Sequence, residues 1–122
     1  MGNKTLTYVN VDMLVLKLLE NQDMYGYQII EQLEKQSQNV FSLSAGSLYP
    51  LLHNLEVKDY VDTYEGDNNS KTPGKKWKYY HITEKGKAYL AEKSKEWEQY
   101  SSAINSILFV EKGAAIWNLP IL

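Results

Sequence analysis

Six lysines (Lys71, Lys75, Lys76, Lys78, Lys85 and Lys87) crowd into residues 71–87 beside one acid, Glu84, a local balance of +5. The rest of the chain carries seven lysines against 14 acids, a balance of −7, so the net charge of −2 hides a strong asymmetry. All 13 basic residues are lysine. A concentrated cation on an acidic chain has the chemistry to hold an anionic partner at one place, or it is a solvated lysine-rich loop. A second set, Tyr49, His53 and Asn54, shares one side of a leucine-rich segment and offers uncharged hydrogen-bonding groups. The residues that would carry a reaction are missing from any useful spacing. His53 and His81 stand 28 residues apart, there is no cysteine, and no Gly-rich phosphate loop or nucleophile elbow occurs. Glu92, Glu96 and Glu98 read as the solvated face of an amphipathic helix. The sequence therefore predicts no enzyme, no metal and no cofactor.

These groups need elements to position them. At 122 residues the length predicts one domain, not two. It has no apolar run near the ~20 residues of a membrane span, and MGNKTLTYVN lacks the apolar core of a signal peptide. A cytoplasmic protein is the expectation. Residues 9–20 are apolar at Val9, Met13, Leu16 and Leu19, with Leu14, Val15 and Leu18 widening the stripe, which predicts a first helix. Asp23 reads as the N-cap of a second helix over 24–38, with Ile29, Ile30 and Leu33 inward. A third helix, about 44–58, is capped by Ser44 and turns Leu48, Leu51, Leu52 and Leu55 to one side. Pro50 sits inside it, which implies a bend or a later start. Residues 60–65 and 77–82 read as two strands, and 66–76 as the long basic tip of a hairpin.

Thr83 caps a fourth helix that reaches about residue 111, roughly 40 Å, more than so small a domain buries against itself. Leu90, Trp97 and Ile104 form one row, and Tyr100, Ile107 and Leu108 the other, in seven-residue spacing. A second copy is the simplest cover for this seam; packing onto the first helix of the same chain is the other. The organisation expected is a DNA-binding domain over 1–83, a dimerisation helix over 84–112, and an apolar tail over 113–122. The tail is read either as a docking segment or as residues added for expression.

Three helices, a hairpin and a last helix follow the order of a winged helix-turn-helix, a mainly α (α+β) fold. Such a third helix enters the major groove, whose base edges carry distinguishable donor and acceptor patterns, while the hairpin cations reach phosphates. Uncharged groups on the helix and charge in the hairpin divide base reading from positioning.

The segments MYGYQIIEQL (24–33), GSLYPLLHNLEVKDYV (46–61) and PGKKWKYYHITEKGKAYL (73–90) resemble the PadR-type transcriptional regulators, in particular their small subfamily with a single C-terminal helix. The resemblance covers about residues 10–108. It implies a helix that starts near Ser44 and bends at Pro50. It also implies a homodimeric repressor on a near-palindromic DNA operator, with the last helix of each chain crossing its partner. Where the family often has arginines, this chain has wing lysines and the pair His53-Asn54, which argues against strong guanine readout and for steep salt dependence and A·T preference.

The DNA-facing residues expected are Tyr27, Ser44, Ser47, Tyr49, His53, Asn54, Lys58, Lys71, Lys75, Lys76 and Lys78. Some have a second reading. Tyr49 is otherwise a surface ring packed on the wing, Tyr27 a core residue, Ser44 and Ser47 a cap and its neighbour, and Lys58 a cation serving the helix dipole. In a multidrug-sensing branch of the family a tryptophan at the place of Trp97 pairs across the dimer and stacks on flat aromatic or cationic drugs. That implies ligand binding at Trp97 with Asp12 and Met13 nearby; a large buried residue is the plain alternative. The rival to a DNA-binding regulator is a winged-helix interaction module without specific DNA binding.

Overall fold

The computed structural model describes residues 11–67 and 76–110. Seven elements run in order: α1 (Val11–Asn21), β1 (Met24–Tyr25), α2 (Gly26–Gln36), α3 (Ala45–Val57), β2 (Val61–Asp67), β3 (Lys76–Ile82) and α4 (Glu84–Leu108). This is the winged helix with a long C-terminal helix. Contacts divide the chain into two units, Met1–Ala91 and Glu92–Leu122, with the division inside α4. Lys71, Lys75 and the tail 113–122 lie outside the described residues, as does the expected start of α1 at Val9.

The core of the first unit follows from helical periodicity. Leu16 and Leu19 from α1, Ile29 from α2, and Leu48 and Leu52 from α3 are fully buried, and Val61, Tyr80 and Ile82 close the core from the sheet. The spacing of three and four that sets these residues on one side of each helix leaves the opposite side of α3 to solvent. Leu90, on the first turns of α4, is buried in the same core.

Three sequence expectations are corrected. The wing is not a two-stranded hairpin alone: β1 pairs antiparallel with β3, giving a three-stranded sheet in the order β1-β3-β2. Met24 faces Tyr80 and Tyr25 faces Tyr79 across that pairing. Asp23 is not the cap of α2. That helix starts at Gly26, and the Gln28 side chain takes the Tyr25 amide as acceptor at 3.0 Å. Asp23 instead reaches across the sheet, accepting from the Tyr64 hydroxyl at 2.6 Å and lying 2.9 Å from His81 Nδ1. The fourth helix also ends at Leu108, three residues short of its expected end.

The joint into α4 is closely specified. Thr83 caps it as expected, its hydroxyl taking the Gly86 amide at 2.9 Å and giving its own proton to the Asp59 carbonyl at 2.7 Å. Gly86 lies so near the Tyr60 carbonyl that a Cβ would collide with it and come within 2.9 Å of Ile82 Cγ1. Tyr89 stacks on Tyr60 at 4.4 Å and donates to Asp12 at 2.7 Å, tying α4 to the first turn of α1. Among the described residues, no helix is long and apolar enough to cross a membrane.

Candidate nucleic-acid interface

The third helix begins where the chemistry of Ser44 dictates. Its backbone is extended and its hydroxyl accepts the Ser47 amide at 3.2 Å. The helix then runs through Pro50, which brings no N–H for the Gly46 carbonyl. Leu48, Leu52 and Leu55 face the core, while Ser47, Tyr49, His53, Asn54 and Lys58 are exposed. The expected reading face of α3 is thus a solvent face of serine, tyrosine, imidazole and amide groups. Lys58 is the C-cap, and its ammonium group adds a cation at that end.

Tyr49 does more than point outward. Its ring lies against Gly26, the first residue of α2, so closely that a Cβ on Gly26 would collide with the hydroxyl and stand 2.6 Å from Cζ. Gly26, Tyr49, Tyr27, Trp77, Lys78 and Tyr80 line a small cleft of about 120 Å3 where α2, α3 and the wing meet. The structure therefore brings together three residues singled out from sequence: Tyr27, 64% exposed at the start of α2, Tyr49 on α3 and Lys78 on β3. The core alternative for Tyr27 is excluded by that exposure. Gly26 and Trp77 were not singled out. The signal for Gly26 was the Tyr-Gly-Tyr stretch, whose glycine admits the ring of a residue 23 positions away.

Among the described residues, the wing lysines Lys76 and Lys78 each have an acid beside them. Lys76 pairs with Asp67 at 3.3 Å, and Lys78 Nζ lies 3.9 Å from Glu56 and 5.5 Å from the Tyr80 ring centroid. Strand register places Asp67 opposite Lys76 and Glu65 opposite Lys78. Acids from β2 and α3, outside the lysine run, thus stand beside two of its cations. Burial pushes the Tyr80 hydroxyl above its ordinary value, with Tyr49 and Glu56 adding to the shift.

The outer face of the sheet carries a separate cluster. Tyr64 is pushed up to about 12, first by its hydrogen bond to Asp23. Desolvation raises the Asp23 carboxyl, but the Tyr64 hydroxyl and the His81 ring outweigh it and hold the group below its ordinary value. Tyr64, Tyr79 and Tyr25 stand in one row across the three strands, with ring centroids 5.5 Å apart in each step. Among the described residues, no group of three or more metal-ligating side chains forms a metal site.

In the second unit, Trp97 is 37% exposed and pairs with Tyr100 at 5.8 Å between ring centroids. Tyr100, Ile107 and Leu108 are exposed and Ile104 is half-buried. Of the six expected seam residues, Leu90 alone sits in the core of the first unit. Of the residues expected beside a ligand, Met13 is buried in that core and Asp12 is engaged by Tyr89.

The profile of the transcriptional regulator PadR-like family matches residues 15–92. An uncharacterized protein of Lysinibacillus sphaericus is 37% identical over 102 residues, covering 84% of this chain and 89% of that one. Among solved structures, a PadR family transcription regulator from Clostridium difficile is 32% identical with a TM-score of 0.68, covering 80% of this chain and 97% of that one. A PadR-like transcriptional regulator from Bacillus cereus superposes with a TM-score of 0.74 at 28% identity, covering 88% of this chain and all of that one.

Proposed function

Because this chain belongs to the PadR-like family of transcriptional regulators, we propose that it is a homodimeric repressor that reads a near-palindromic operator. The observation that carries the reading is the solvent face of α3, where Tyr49, His53 and Asn54 stand clear of the core while the Tyr49 ring is braced on Gly26. A helix with such a face fits the major groove, where amide and imidazole groups meet base edges. Asn54 is the residue for adenine. Ser44 and Ser47 at the helix start, Tyr27 on α2 and Lys58, Lys76 and Lys78 contact the backbone. Lys71 and Lys75 extend the same row of cations by sequence.

The exposed apolar residues of the second unit support a dimer. Tyr100, Ile107 and Leu108 need cover, and a second copy supplies it. Two α3 helices then serve two half-sites one helical turn apart. Release by a planar aromatic or cationic molecule rests on Trp97, whose ring is accessible for stacking. The ligand acts only if it binds one arrangement of the dimer better than the other.

One observation favours a second reading, a winged-helix interaction module without specific DNA binding: Lys76 and Lys78 already face Asp67 and Glu56. Fluorescence anisotropy separates the two. The protein is titrated onto a labelled fragment from upstream of its own gene, and onto a random fragment, across a salt series. The repressor reading expects tighter binding to the first fragment with a steep salt slope. Equal and weak binding to that fragment, to the random one and to a genome-wide fragment pool favours the module.

A further inference from the structure

The two faces of the sheet carry different chemistry, and the regulator reading uses one of them. On β3, Lys78, Tyr80 and Ile82 turn toward α3 and the core, so Tyr79 and His81 alternate to the other face. On β2, Val61 is buried while Asp62 and Tyr64 are exposed on that outer face, with Asp62 opposite His81 and Tyr64 opposite Tyr79. Lys76 and Lys78, the described lysines of the wing, belong to the α3 side. The outer face thus carries tyrosines, the carboxylates of Asp23 and Asp62 and, as its basic group among the described residues, His81.

Tyr64 is fixed in place on that face. Its hydroxyl donates to Asp23 at 2.6 Å, reaching across β3, since the strand order is β1-β3-β2 and Asp23 stands just before β1. Its ring stacks on Tyr79 at 5.5 Å and 13°, and Tyr79 packs over Gly66, where a Cβ would come within 3.0 Å of the Tyr79 ring. Tyr64 still remains 46% exposed. A ring held by its own neighbours presents a flat π-face that needs no further ordering when a ligand arrives. Asp62 lies two residues along the same face, roughly 7 Å away. Among the described residues it is in no ion pair.

β2 is also an open edge. Among the described residues no strand pairs with its far side, so backbone groups along Val61–Asp67 are available there. Its charged residues are Asp62, Glu65 and Asp67, with no base. Lys76 holds Asp67 and Lys78 stands opposite Glu65, which leaves Asp62 as the acid with no lysine opposite it. Two copies of this strand side by side would crowd like charges, whereas a cationic strand is attracted. From this juxtaposition of an open acidic edge and a fixed, exposed tyrosine, we infer that β2 is the docking strip for an extended, arginine-bearing segment of a partner protein. The segment adds a strand to β2 through its backbone, and alternate arginines lie over the outer face, one stacked on Tyr64 and one paired with Asp62. Arginine is the residue required, because a guanidinium both stacks flat on a ring and forks onto a carboxylate. This chain contains no arginine, so the segment comes from another protein. The carboxylates of Asp23 and Asp62 disfavour nucleic-acid phosphates at this face.

The test uses the full chain at about pH 8, where an ordinary imidazole is neutral. The probe is a short fluorescent peptide of alternating threonine and arginine. The controls are the same peptide with lysine, the same with glutamate, and single-stranded oligothymidylate. Anisotropy reads affinity, and amide shifts with hydrogen exchange read the place of binding. The inference expects saturable binding of the arginine peptide, about fivefold weaker binding of the lysine peptide and none of the glutamate peptide. Asp62→Asn should weaken the arginine peptide roughly tenfold, and Tyr64→Ala by more. Amide exchange in β2 should slow on binding. Should Tyr64→Ala lower the thermal midpoint, Asp62→Asn, an exposed and nearly isosteric change, decides the matter. Unchanged binding in Asp62→Asn would overturn the inference, as would shifts confined to α4, where Glu92, Glu96 and Glu98 offer other acids. A lysine peptide that binds as tightly as the arginine one would overturn it in favour of a seat for the lysine run of a second copy. Oligothymidylate bound at Tyr64 more tightly than the arginine peptide would make the face a base-stacking surface, and the inference would fall. No part of it rests on the repressor reading, so a failure to bind operator DNA leaves these outcomes intact.

Discussion

The ring of Tyr49 rests on the backbone of Gly26, with Cζ 2.6 Å from where a Cβ on that glycine would stand. The contact joins the first residue of α2 to the exposed face of α3, so it fixes a proposed DNA-facing side chain from outside its own helix. Gly26→Ala should therefore act on Tyr49 first. The obstacle is the free end of a partly exposed side chain, which swings away cheaply, so the stability loss should be small, about 1 kcal/mol. If Tyr49 faces DNA as proposed, DNA affinity should fall more than stability does. Adding Tyr49→Ala should recover the stability loss, because the clash is gone, and a double-mutant cycle by urea denaturation measures that coupling.

Gly86 provides the contrast. There the added methyl meets the Tyr60 carbonyl and Ile82, which are backbone and core. Neither can swing aside without moving the entry to β2, the end of β3 or α4. Gly86→Ala should cost about 1–3 kcal/mol despite the better helix propensity of alanine. A fall in the urea midpoint well beyond that of Gly26→Ala is the expected result; equal midpoints would mean the joint between Tyr60 and α4 is loose.

The contrast also shows what the sequence could reveal. Leu48, Leu52 and Leu55 recur at helical spacing, so α3 and its solvent face were legible, and Ser44 and Thr83 were legible as caps because capping is local. β1 was not, since two residues carry no period. Asp23 looked like a cap by local rules, yet its partners are 41 and 58 positions away. The pairing of Lys78 with Glu56 was hidden for the same reason: charge counted along the chain does not see which strand or helix lies opposite.

That pairing makes a prediction about affinity. Glu56 stands near the proposed interface and faces Lys78 at 3.9 Å. Both groups are well exposed, so the pair itself contributes little to stability. Glu56→Gln should leave the thermal midpoint nearly unchanged and tighten DNA binding, because a like charge is removed from beside the phosphates. Lys78→Ala should do the reverse and reduce the slope of log affinity against log salt by roughly one. Anisotropy across a salt series checks both. A Lys78→Ala slope equal to that of the unaltered chain would remove Lys78 from the interface.

The Asp23–Tyr64 hydrogen bond predicts stability loss at both ends of the pH scale. Asp23 titrates below its ordinary 3.8, so its contribution is complete above that value and is lost as pH falls through the lower folded value. Tyr64 is raised from 10.0 to about 12, so the folded state keeps a proton that the unfolded chain gives up in between. Stability from this group is complete below pH 10 and declines as pH rises toward 12. Tyr64→Phe should flatten the alkaline decline and move the Asp23 titration upward. Urea midpoints at acid, neutral and alkaline pH read the first effect, and carboxyl NMR of Asp23 reads the second.

The second unit offers the clearest test of self-association. Ile107 and Leu108 are 80% and 66% exposed, and neither supports the core of its own chain. Charges placed there cost the monomer little but must be desolvated in any interface. Ile107→Glu with Leu108→Glu should leave the helical signal intact and convert a dimer into a monomer in sedimentation. DNA affinity should fall with it, since two linked half-site contacts become one. A double variant that still sediments as a dimer would place the interface elsewhere, and a fall in affinity without dissociation would mean that the C-terminal end of α4 touches DNA itself.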